Sequence, residues 1–411
     1  MAEPFPREGL PLDEARRRVL DALTPLVGSE RLPLAACLGR VSAERCQASE
    51  AVPGFRASIM DGYAISGEAP PPPGSQWRLV GLAAPGAPFT GELGPGEAVR
   101  ILTGAPLPEM ANRVVPQELI SRDDATLLLS GEIGSNAWIR PPDEEAAPGE
   151  VLLHPGARLG PADLARLASC GVAALAVRPR PRVGLLISGD ELVPAGEPRG
   201  PGRVWESNGT LLEALLARLG FPVAERWVVA DQPAELERVL DDLAERCDVV
   251  VSTGGVSSGD ADWIRPLVAR RGHVTFWKLF LKPGRPFAFG QLGGKPFFGL
   301  PGNPVAAAIT ALQLLWPALQ ALEGSEPQLP LRIRVRLETP MRRAAGRPEL
   351  ARAQLVVGEG GELVARIEGS QASSRIGSLR GADLLLEIPA EETSLEAGQW
   401  LWAQLLRLPL F

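Results

Sequence analysis

Residues 248–262 read Asp248-Val-Val-Val-Ser252-Thr253-Gly254-Gly255-Val256-Ser257-Ser258-Gly259-Asp260-Ala261-Asp262. The three valines are typical of a strand that is buried on both faces, as in a parallel sheet. The glycines that follow leave backbone N–H groups available for an anion, and the next helix presents its positive end. Asp260 and Asp262 add oxygen ligands for a hard cation such as Mg²⁺. An ordinary strand-to-helix turn with Asp262 as the helix N-cap fits the same residues, so the neighbouring segments must decide between the two interpretations.

Strands and helices alternate on both sides of this stretch. The patterns predict strands at 183–187, 223–230 and 248–252, and helices at 208–219, 233–246 and 262–270. This order predicts a doubly wound α/β unit. Glu191 follows the first strand and Asp231 the second. Because ligands bind at the carboxyl ends of strands in such sheets, these acids and the 253–262 loop are expected to share one edge.

The remaining segments have different patterns. Residues 70–146 carry short apolar runs between Pro, Gly and Asp turns, which indicates a small β domain. Helical spacing precedes and follows this domain, and the alternating stretch from Arg332 begins a run of strands that predicts a β barrel. The predicted fold class is therefore multidomain α/β plus β. Its parts are a helical linker domain (7–46 and 147–180), an inserted β domain (47–146), the α/β domain (181–328) and a C-terminal β-barrel domain (329–411).

Composition excludes several kinds of function. The net charge of −7 argues against a nucleic-acid or membrane-surface binder. Only two histidines and four cysteines occur, without a C-x-x-C pair, so a zinc site, a disulfide framework and histidine acid–base chemistry are not expected. The apolar stretch 305–322 contains Gln313, Pro317 and Gln320 and is interpreted as a core helix. The first residues lack a basic region followed by an apolar run, which favours the cytoplasm.

Lysine is informative because it is scarce. Only Lys278, Lys282 and Lys295 occur among 42 basic residues. Residues four apart share a face of a strand, so Lys278 and Lys282 are predicted to project from one strand into one volume. A solvated basic face is the alternative, and the aromatic and aliphatic residues around the pair argue against it. The stretch Gly299-Leu-Pro301-Gly302-Asn303-Pro304-Val305 then opens a helix and is a second candidate anion cradle.

Six motifs in order resemble those of the molybdopterin molybdenumtransferases, a family that includes the gephyrin E domain. They are Met60-Asp-Gly-Tyr-Ala64, Arg100 to Pro106, Ser188 to Leu192, Gly254 to Asp262, Trp277 to Pro286 and Gly299 to Val305. The resemblance implies a four-part subunit and a homodimer whose cleft joins one subunit's β domain to the partner's α/β domain. It implies that adenylylated molybdopterin reacts with molybdate, with Mg²⁺ as cofactor, to give the molybdenum cofactor and AMP. Contacts with the upstream adenylyltransferase and with downstream molybdoenzymes are also implied.

The resemblance assigns roles to particular residues. The implied catalytic residues are Asp61, Thr103, Glu191, Asp231, Lys278 and Lys282. The implied cofactor-binding residues are Thr253, Gly254, Gly255, Ser257, Gly259, Asp262, Pro301, Gly302, Asn303, Pro304, Arg352 and Ser373. The implied metal ligands are Asp61, Glu191, Asp231 and Asp262. The chain departs from the family pattern at Asn112-Arg113, at Asp143 to Glu145, at Arg285 and at Ala306.

The residue types suit this chemistry, because two oxyanions can approach each other only beside positive groups. Lysine ammonium groups and backbone N–H groups supply such positive partners. Two alternatives stay open at this point. One is the upstream molybdopterin adenylyltransferase, whose α/β unit looks similar but which lacks the inserted β domain and the barrel. The other is a non-catalytic scaffold like the gephyrin E domain, which also clusters a membrane receptor.

Overall fold

The computed structural model describes residues 9–255, 263–367 and 369–407. The chain forms two compact units. The larger unit takes the residues up to Arg31, Gly39–Ala43 and the residues from Ala176 onward, and the smaller unit takes Leu32–Leu38 and Glu44–Leu175. The finer division into four domains stays a prediction.

The helices begin and end close to the residues that their patterns indicate. They are α1 Leu12–Asp21, α2 Pro161–Ser169, α3 Asn208–Arg218, α4 Pro233–Arg246, α5 Ile264–Arg271 and α6 Pro304–Glu323. Three of them start on a proline, whose fixed φ suits the first helical position and whose missing N–H is not needed there. Within the linker segment 34–46, only Leu34–Ala36 form a helical turn.

Helix α6 is the apolar stretch that the sequence places in the core. Among the residues that the structure describes, it is the one helix long and apolar enough to cross a membrane, but 89% of that stretch is buried inside the fold. Its middle turn, Ala311–Leu315, is a π-helix. Pro317 has no N–H for the carbonyl of Gln313, and Arg16 Nε donates to that carbonyl instead at 3.2 Å. The helix therefore carries Pro317 just after its widened turn without leaving the Gln313 carbonyl unbonded.

The smaller unit is built on a six-stranded sheet. Its strands, β1 Gly62–Ile65, β2 Gln76–Ala83, β3 Glu97–Ile101, β4 Arg113–Pro116, β5 Ile120–Asp123 and β6 Thr126–Leu129, lie in the order β4-β1-β3-β2-β6-β5. In the antiparallel pair of β1 and β3, Gly62 lies opposite Ile101. Asp61 and Thr103 flank this pair of residues, so the register brings them to the same end of the sheet.

The larger unit contains the predicted α/β sheet. Its strands are β7 Val183–Ser188, β8 Val223–Val229, β9 Val249–Thr253, β10 Gly272–Trp277, β11 Ala288–Leu292 and β12 Lys295–Leu300, in the order β8-β7-β9-β12-β11-β10. The strands β8, β7, β9 and β12 run parallel, and β11 and β10 add an antiparallel edge. Residues of α1, α3 and α6 share one buried cluster with the sheet and residues of α4 and α5 share another. Helices thus cover both faces, which confirms the doubly wound prediction.

The C-terminal strands close into the predicted barrel. Its five strands, β13 Leu331–Leu337, β14 Glu349–Val357, β15 Leu363–Arg366, β16 Leu384–Ile388 and β17 Trp400–Leu405, lie in the order β13-β15-β14-β16-β17. Alternate residues fill the interior, among them Val335, Ala351 and Leu386. Short paired strands complete the chain: Glu30–Pro33 with Ala174–Val177, Cys46–Gln47 with Val151–Leu153, Ala57–Ser58 with Ile139–Arg140, Leu192–Val193 with Val204–Trp205, and Met341–Arg342 with Ser394–Leu395.

The prediction that Lys278 and Lys282 lie on one strand is wrong. Strand β10 ends at Trp277, and Lys278 has a φ of 71°, which an extended strand does not allow. Beyond this break Leu279 and Leu281 are buried, while Lys278 and Lys282 are partly exposed. The two lysines are therefore still on the side of the segment away from the core, although no continuous strand aligns them.

Candidate functional site

Three acidic residues lie near one another at the carboxyl ends of β7 and β8. The backbone N–H of Asp231 donates to Asp190 Oδ1 at 3.0 Å. Burial raises the pKa of Asp231, and the negative charges of Asp190 and Glu191 raise it further. The structure thus brings the predicted residues Glu191 and Asp231 together. It adds Asp190, which the sequence analysis left out although it precedes Glu191 in the same loop.

Hydrogen bonds join the loops after β9 and β12, which are the two predicted anion cradles. Thr253 Oγ1 donates to the carbonyl of Pro301 at 3.0 Å. Asn208, the first residue of α3, donates from Nδ2 to Thr253 Oγ1 at 2.9 Å and to the carbonyl of Gly302 at 2.7 Å. Asn208 therefore bonds both loops, although the sequence analysis gave it no site role. The signal available was an asparagine at the start of the first helix that follows β7.

Gly254 lets these loops approach closely. Its φ is +90°, and a Cβ at this position would lie 2.5 Å from the carbonyl oxygen of Ser188. Gly302 packs against it, since a Cβ on Gly302 would lie 3.7 Å from the Gly254 Cα. Any larger residue at 254 would push the loop after β9 away from β7. The predicted cofactor-binding residues Ser257, Gly259 and Asp262 lie outside the described residues.

In the C-terminal region, Ser373 contacts the loop after β12, and Arg352 contacts the loop that carries Ser373. Asn303 Nδ2 donates to Ser373 Oγ at 3.0 Å, and the N–H of Val305 donates to the Ser373 carbonyl at 3.1 Å. Arg352 holds this loop, because its Nη2 donates to the carbonyl of Ala372 at 3.2 Å. Arg352 is only 2% exposed, and its Nη1 has no hydrogen-bond partner among the described residues. Pro304 opens α6 at this junction.

A small cavity of about 150 Å³ borders Arg352. Arg375, Arg380 and Ser378 also line it, and Ser378 Oγ accepts from Arg352 Nε at 3.1 Å. A second cavity, of about 510 Å³, lies between α1, α6 and the barrel and is lined by Arg16, Gln313 and Trp402 among others. The larger cavity includes none of the predicted site residues.

The two lysines have different partners. Lys278 Nζ lies 4.0 Å from the centre of the Trp277 ring, a cation–π contact. Lys282 Nζ forms an ion pair with Glu349 Oε2 at 3.0 Å. Glu349 is the first residue of β14 and lies three residues before Arg352 on the same strand. The barrel therefore contributes the counter-charge of one lysine, which the sequence analysis did not identify.

Asp61 and Thr103 meet in the smaller unit. Asp61 Oδ1 accepts hydrogen bonds from the Thr103 N–H and from Thr103 Oγ1, both at 2.8 Å. The Thr103 N–H lowers the pKa of Asp61 most, the Thr103 hydroxyl lowers it further, and the positive charge of Arg100 adds to the effect. Arg100 is held over the Tyr63 ring, 5.1 Å from its centre. Asp61 is thus an ionised carboxylate held in one orientation by two donors.

Among residues 9–255, 263–367 and 369–407, no three His, Cys, Asp or Glu side chains form a ready metal site. The acidic edge nevertheless suits a cation. Asp231 carries a raised pKa because it is partly buried beside two other acids, and a bound cation would remove that repulsion. Carboxylate oxygens are the donors that Mg²⁺ prefers. Of the predicted ligands, Glu191 and Asp231 therefore have the donor chemistry that a magnesium ion requires, and its binding stays a prediction.

Comparison with known proteins identifies relatives along the whole chain. Residues 10–171 match the MoeA N-terminal region (domain I and II), residues 184–321 match a probable molybdopterin binding domain, and residues 334–406 match the MoeA C-terminal region (domain IV). The molybdopterin molybdenumtransferase of Haemophilus influenzae is 33% identical over 95% of this chain and 97% of its own. Molybdopterin molybdenumtransferase 2 of Mycobacterium tuberculosis is 31% identical over 89% of this chain and 92% of its own.

Solved structures agree with these matches. A crystal structure of the molybdopterin biosynthesis moeA protein from Pyrococcus horikoshii OT3 has a TM-score of 0.80 and 26% sequence identity. The alignment covers 97% of this chain and 100% of that one. The similarity therefore extends over the inserted β domain and the C-terminal barrel as well as the α/β sheet.

Proposed function

Because the chain belongs to the molybdopterin molybdenumtransferase family, we propose that it inserts molybdenum from molybdate into adenylylated molybdopterin and releases AMP. It is a molybdopterin molybdenumtransferase of molybdenum cofactor biosynthesis, and its relatives from Haemophilus influenzae and Mycobacterium tuberculosis carry the name of that transferase. The finer chemistry, namely the adenylylated substrate, the AMP product and the need for Mg²⁺, is our proposal. Two anionic groups must meet in this reaction, so the site must offset their mutual repulsion.

The observation that carries the proposal is the network of hydrogen bonds at the carboxyl edge of the sheet. Hydrogen bonds join Asn208 and Thr253 to the 301–303 loop. Another hydrogen bond joins Asn303 of this loop to Ser373. Backbone N–H groups of glycine-rich loops at the start of helices bind phosphate-like groups. We propose that Thr253 to Gly255 and residues 301–304 hold the phosphate-bearing pterin, together with Ser257, Gly259 and Asp262.

Positive side chains supply the remaining charge. We propose that Lys278 and Lys282 bind the reacting oxyanions, and that Arg352 and Ser373 complete their site. Each charge-assisted hydrogen bond contributes about 1.5–3 kcal/mol. Arg352 supports this role because its Nη1 is buried and has no partner in the described parts of the chain. These groups stabilise the negative charge of the reacting oxyanions. The proposed reaction needs no protein nucleophile.

The acids serve a different purpose. We propose that Glu191 and Asp231, with Asp61 and Asp262, hold Mg²⁺. The ion, when bound, neutralises the pyrophosphate and polarises the leaving AMP. The chain's own contribution is to place these carboxylates and, at Asp61, to keep the carboxylate ionised and oriented. Thr103 does this for Asp61 through two hydrogen bonds.

The proposed assembly follows the family resemblance. We propose a cytoplasmic homodimer that receives its substrate from a molybdopterin adenylyltransferase and passes its product to molybdoenzymes. Size-exclusion chromatography with light scattering measures the subunit number directly. A monomer at micromolar concentration would contradict this part of the proposal.

The reaction is tested with the purified protein, adenylylated molybdopterin, molybdate and Mg²⁺, with AMP measured by chromatography. AMP release is expected with all components and is expected to fall when molybdate alone is omitted. In a parallel assay with ATP and molybdopterin, ATP consumption without molybdate would instead indicate an adenylyltransferase. Failure to bind any pterin would indicate a non-catalytic scaffold.

A further inference from the structure

Glu349 lies where the segment 278–282, which carries two of the lysines, meets the barrel. Its side chain is 0% exposed, yet it forms two ion pairs, with Lys282 Nζ and with Arg343 Nε, both at 3.0 Å. A buried carboxylate is costly unless positive groups compensate it, and here two cations share one anion. The three charged groups together keep one net positive charge.

The two cations are held in different ways. The Arg343 side chain is only 3% exposed, and its guanidinium also donates to the carbonyls of Pro389 at 2.7 Å and Glu392 at 2.9 Å. Arg343 is therefore fixed by the barrel independently of Lys282. The Lys282 side chain is 45% exposed, so it is the member of the group that faces outward. The net positive charge of the group is accordingly presented through the Lys282 ammonium.

Backbone hydrogen bonds hold the same two segments side by side. The Lys282 N–H donates to the carbonyl of Pro348, and the Leu350 N–H donates to the carbonyl of Lys282, both at 2.8 Å. Arg347 Nη1 adds a bond to the carbonyl of Leu281 at 2.9 Å. The start of β14 thus fixes both the backbone and the ammonium group of Lys282.

We propose that Glu349 is a positioning residue, which holds the Lys282 ammonium at the oxyanion site. Arg343 is the fixed positive partner that compensates the Glu349 carboxylate. This inference rests on the proposed function, in which Lys282 binds a reacting oxyanion. In this arrangement Glu349 does not touch substrate. It restricts the flexible lysine side chain before the anion arrives, so less conformational freedom is lost on binding.

The scarcity of lysine allows a test that needs no substrate. The purified chain is labelled with an amine-reactive reagent, and the rates at Lys278, Lys282 and Lys295 are measured separately by peptide mass spectrometry. Glu349→Gln keeps the side-chain shape and removes the charge. We expect Lys282 to label several times faster in this variant, with Lys278 and Lys295 unchanged, because its ammonium has lost its anionic partner. Equal labelling of Lys282 in the variant and the natural chain would overturn the proposal.

The second part of the test is a cycle of activity measurements. Glu349→Gln is expected to lower the rate of AMP release by about tenfold, and adding it to Lys282→Ala is expected to cause no further loss, since coupled residues are not additive. Losses that multiply would show that Glu349 acts elsewhere and would refute the positioning role. If Lys282→Ala alone has full activity, the proposed role of Lys282 fails and this inference fails with it, whereas the labelling result still reports the ion pair.

Two further variants control for folding. Glu323→Gln removes another buried carboxylate, which pairs with Arg180 at 3.8 Å, and is expected to leave lysine labelling unchanged. Glu349→Asp keeps the charge but shortens the side chain, and is used if Glu349→Gln does not fold. We expect Glu349→Asp to raise Lys282 labelling as well, because the shorter side chain cannot keep the 3.0 Å contact. Unchanged labelling in a folded Glu349→Asp protein would count against the proposal.

Discussion

Asp61 and Asp231 are the same residue type in opposite electrostatic environments. Asp61, in the smaller unit, accepts two hydrogen bonds from Thr103, and its pKa is lowered. Asp231, in the larger unit, is partly buried beside Asp190 and Glu191, and its pKa is raised. The first carboxylate is stabilised as an anion by the protein itself. The second is on balance destabilised as an anion by its surroundings, so we expect Asp61 to be preorganised and Asp231 to respond to Mg²⁺.

The largest expected effect is on Asp61. Asp61→Asn removes the charge that Thr103 orients, and we expect AMP release to slow by about 100-fold, as when one preorganised electrostatic group is removed from an active site. The measurement is the rate of AMP release at saturating Mg²⁺. Asp123→Asn, an exposed acid in the same sheet, is the matched control and is expected to be fully active. Activity of Asp61→Asn equal to that of this control would remove Asp61 from the site.

A smaller effect is expected at Thr103. Thr103→Val keeps the backbone N–H bond to Asp61 and loses the hydroxyl bond, so we expect AMP release to slow by about tenfold, in line with one lost hydrogen bond to a charged group. Thr103→Ser keeps the hydroxyl and is expected to stay near full activity. Thr126→Val, at an exposed position of β6, controls for the substitution itself. Equal rates for Thr103→Val and Thr103→Ser would show that the hydroxyl plays no part.

The smallest expected effect concerns stability against pH, and the two acids have opposite signs. The lowered pKa of Asp61 stabilises the fold above the ordinary aspartate value, and this contribution is lost as the pH falls through the lowered value. The raised pKa of Asp231 stabilises the fold below the ordinary value, and this contribution is lost as the pH rises through the raised value.

Thermal unfolding between about pH 3 and pH 7, with a metal chelator present, tests these signs, since aspartate ordinarily titrates near the lower part of this range. Asp61→Asn is expected to lose stability relative to the natural chain only at the upper end. Asp231→Asn is expected to gain relative stability there. A pH profile with the same sign for both variants would contradict the comparison.

Much of the fold follows from local patterns. The valine-rich strand at 249–251, the proline-initiated helices and the alternating strand from Leu331 are visible in the sequence, because period and turn residues report burial directly. Lys278 is where that reasoning failed. The aromatic and aliphatic pattern continues past Trp277, but tertiary contacts set the left-handed φ at Lys278. The Lys278 N–H donates to the Phe287 carbonyl, and the Lys278 carbonyl accepts from the Leu10 N–H.

The candidate site also combines residues that the sequence indicates with residues that only tertiary contacts reveal. Residues in glycine-rich loops at strand ends could be predicted, since topology alone places them at one edge. Asn208 and Glu349 could not, because their importance depends on which distant loops they contact: Asn208 bonds Gly302, and Glu349 bonds Lys282. A single sequence gives the residue types that bind ligands but not the partners that hold them in place.

The most direct measurement is single-turnover AMP release from adenylylated molybdopterin as a function of Mg²⁺, in the natural chain and in Asp231→Asn, with and without molybdate. We predict that release in the natural chain depends on molybdate and saturates with Mg²⁺, and that Asp231→Asn needs about ten times more Mg²⁺, because one charged ligand is lost. Release that is independent of molybdate, or identical Mg²⁺ dependence in the two proteins, would contradict the account.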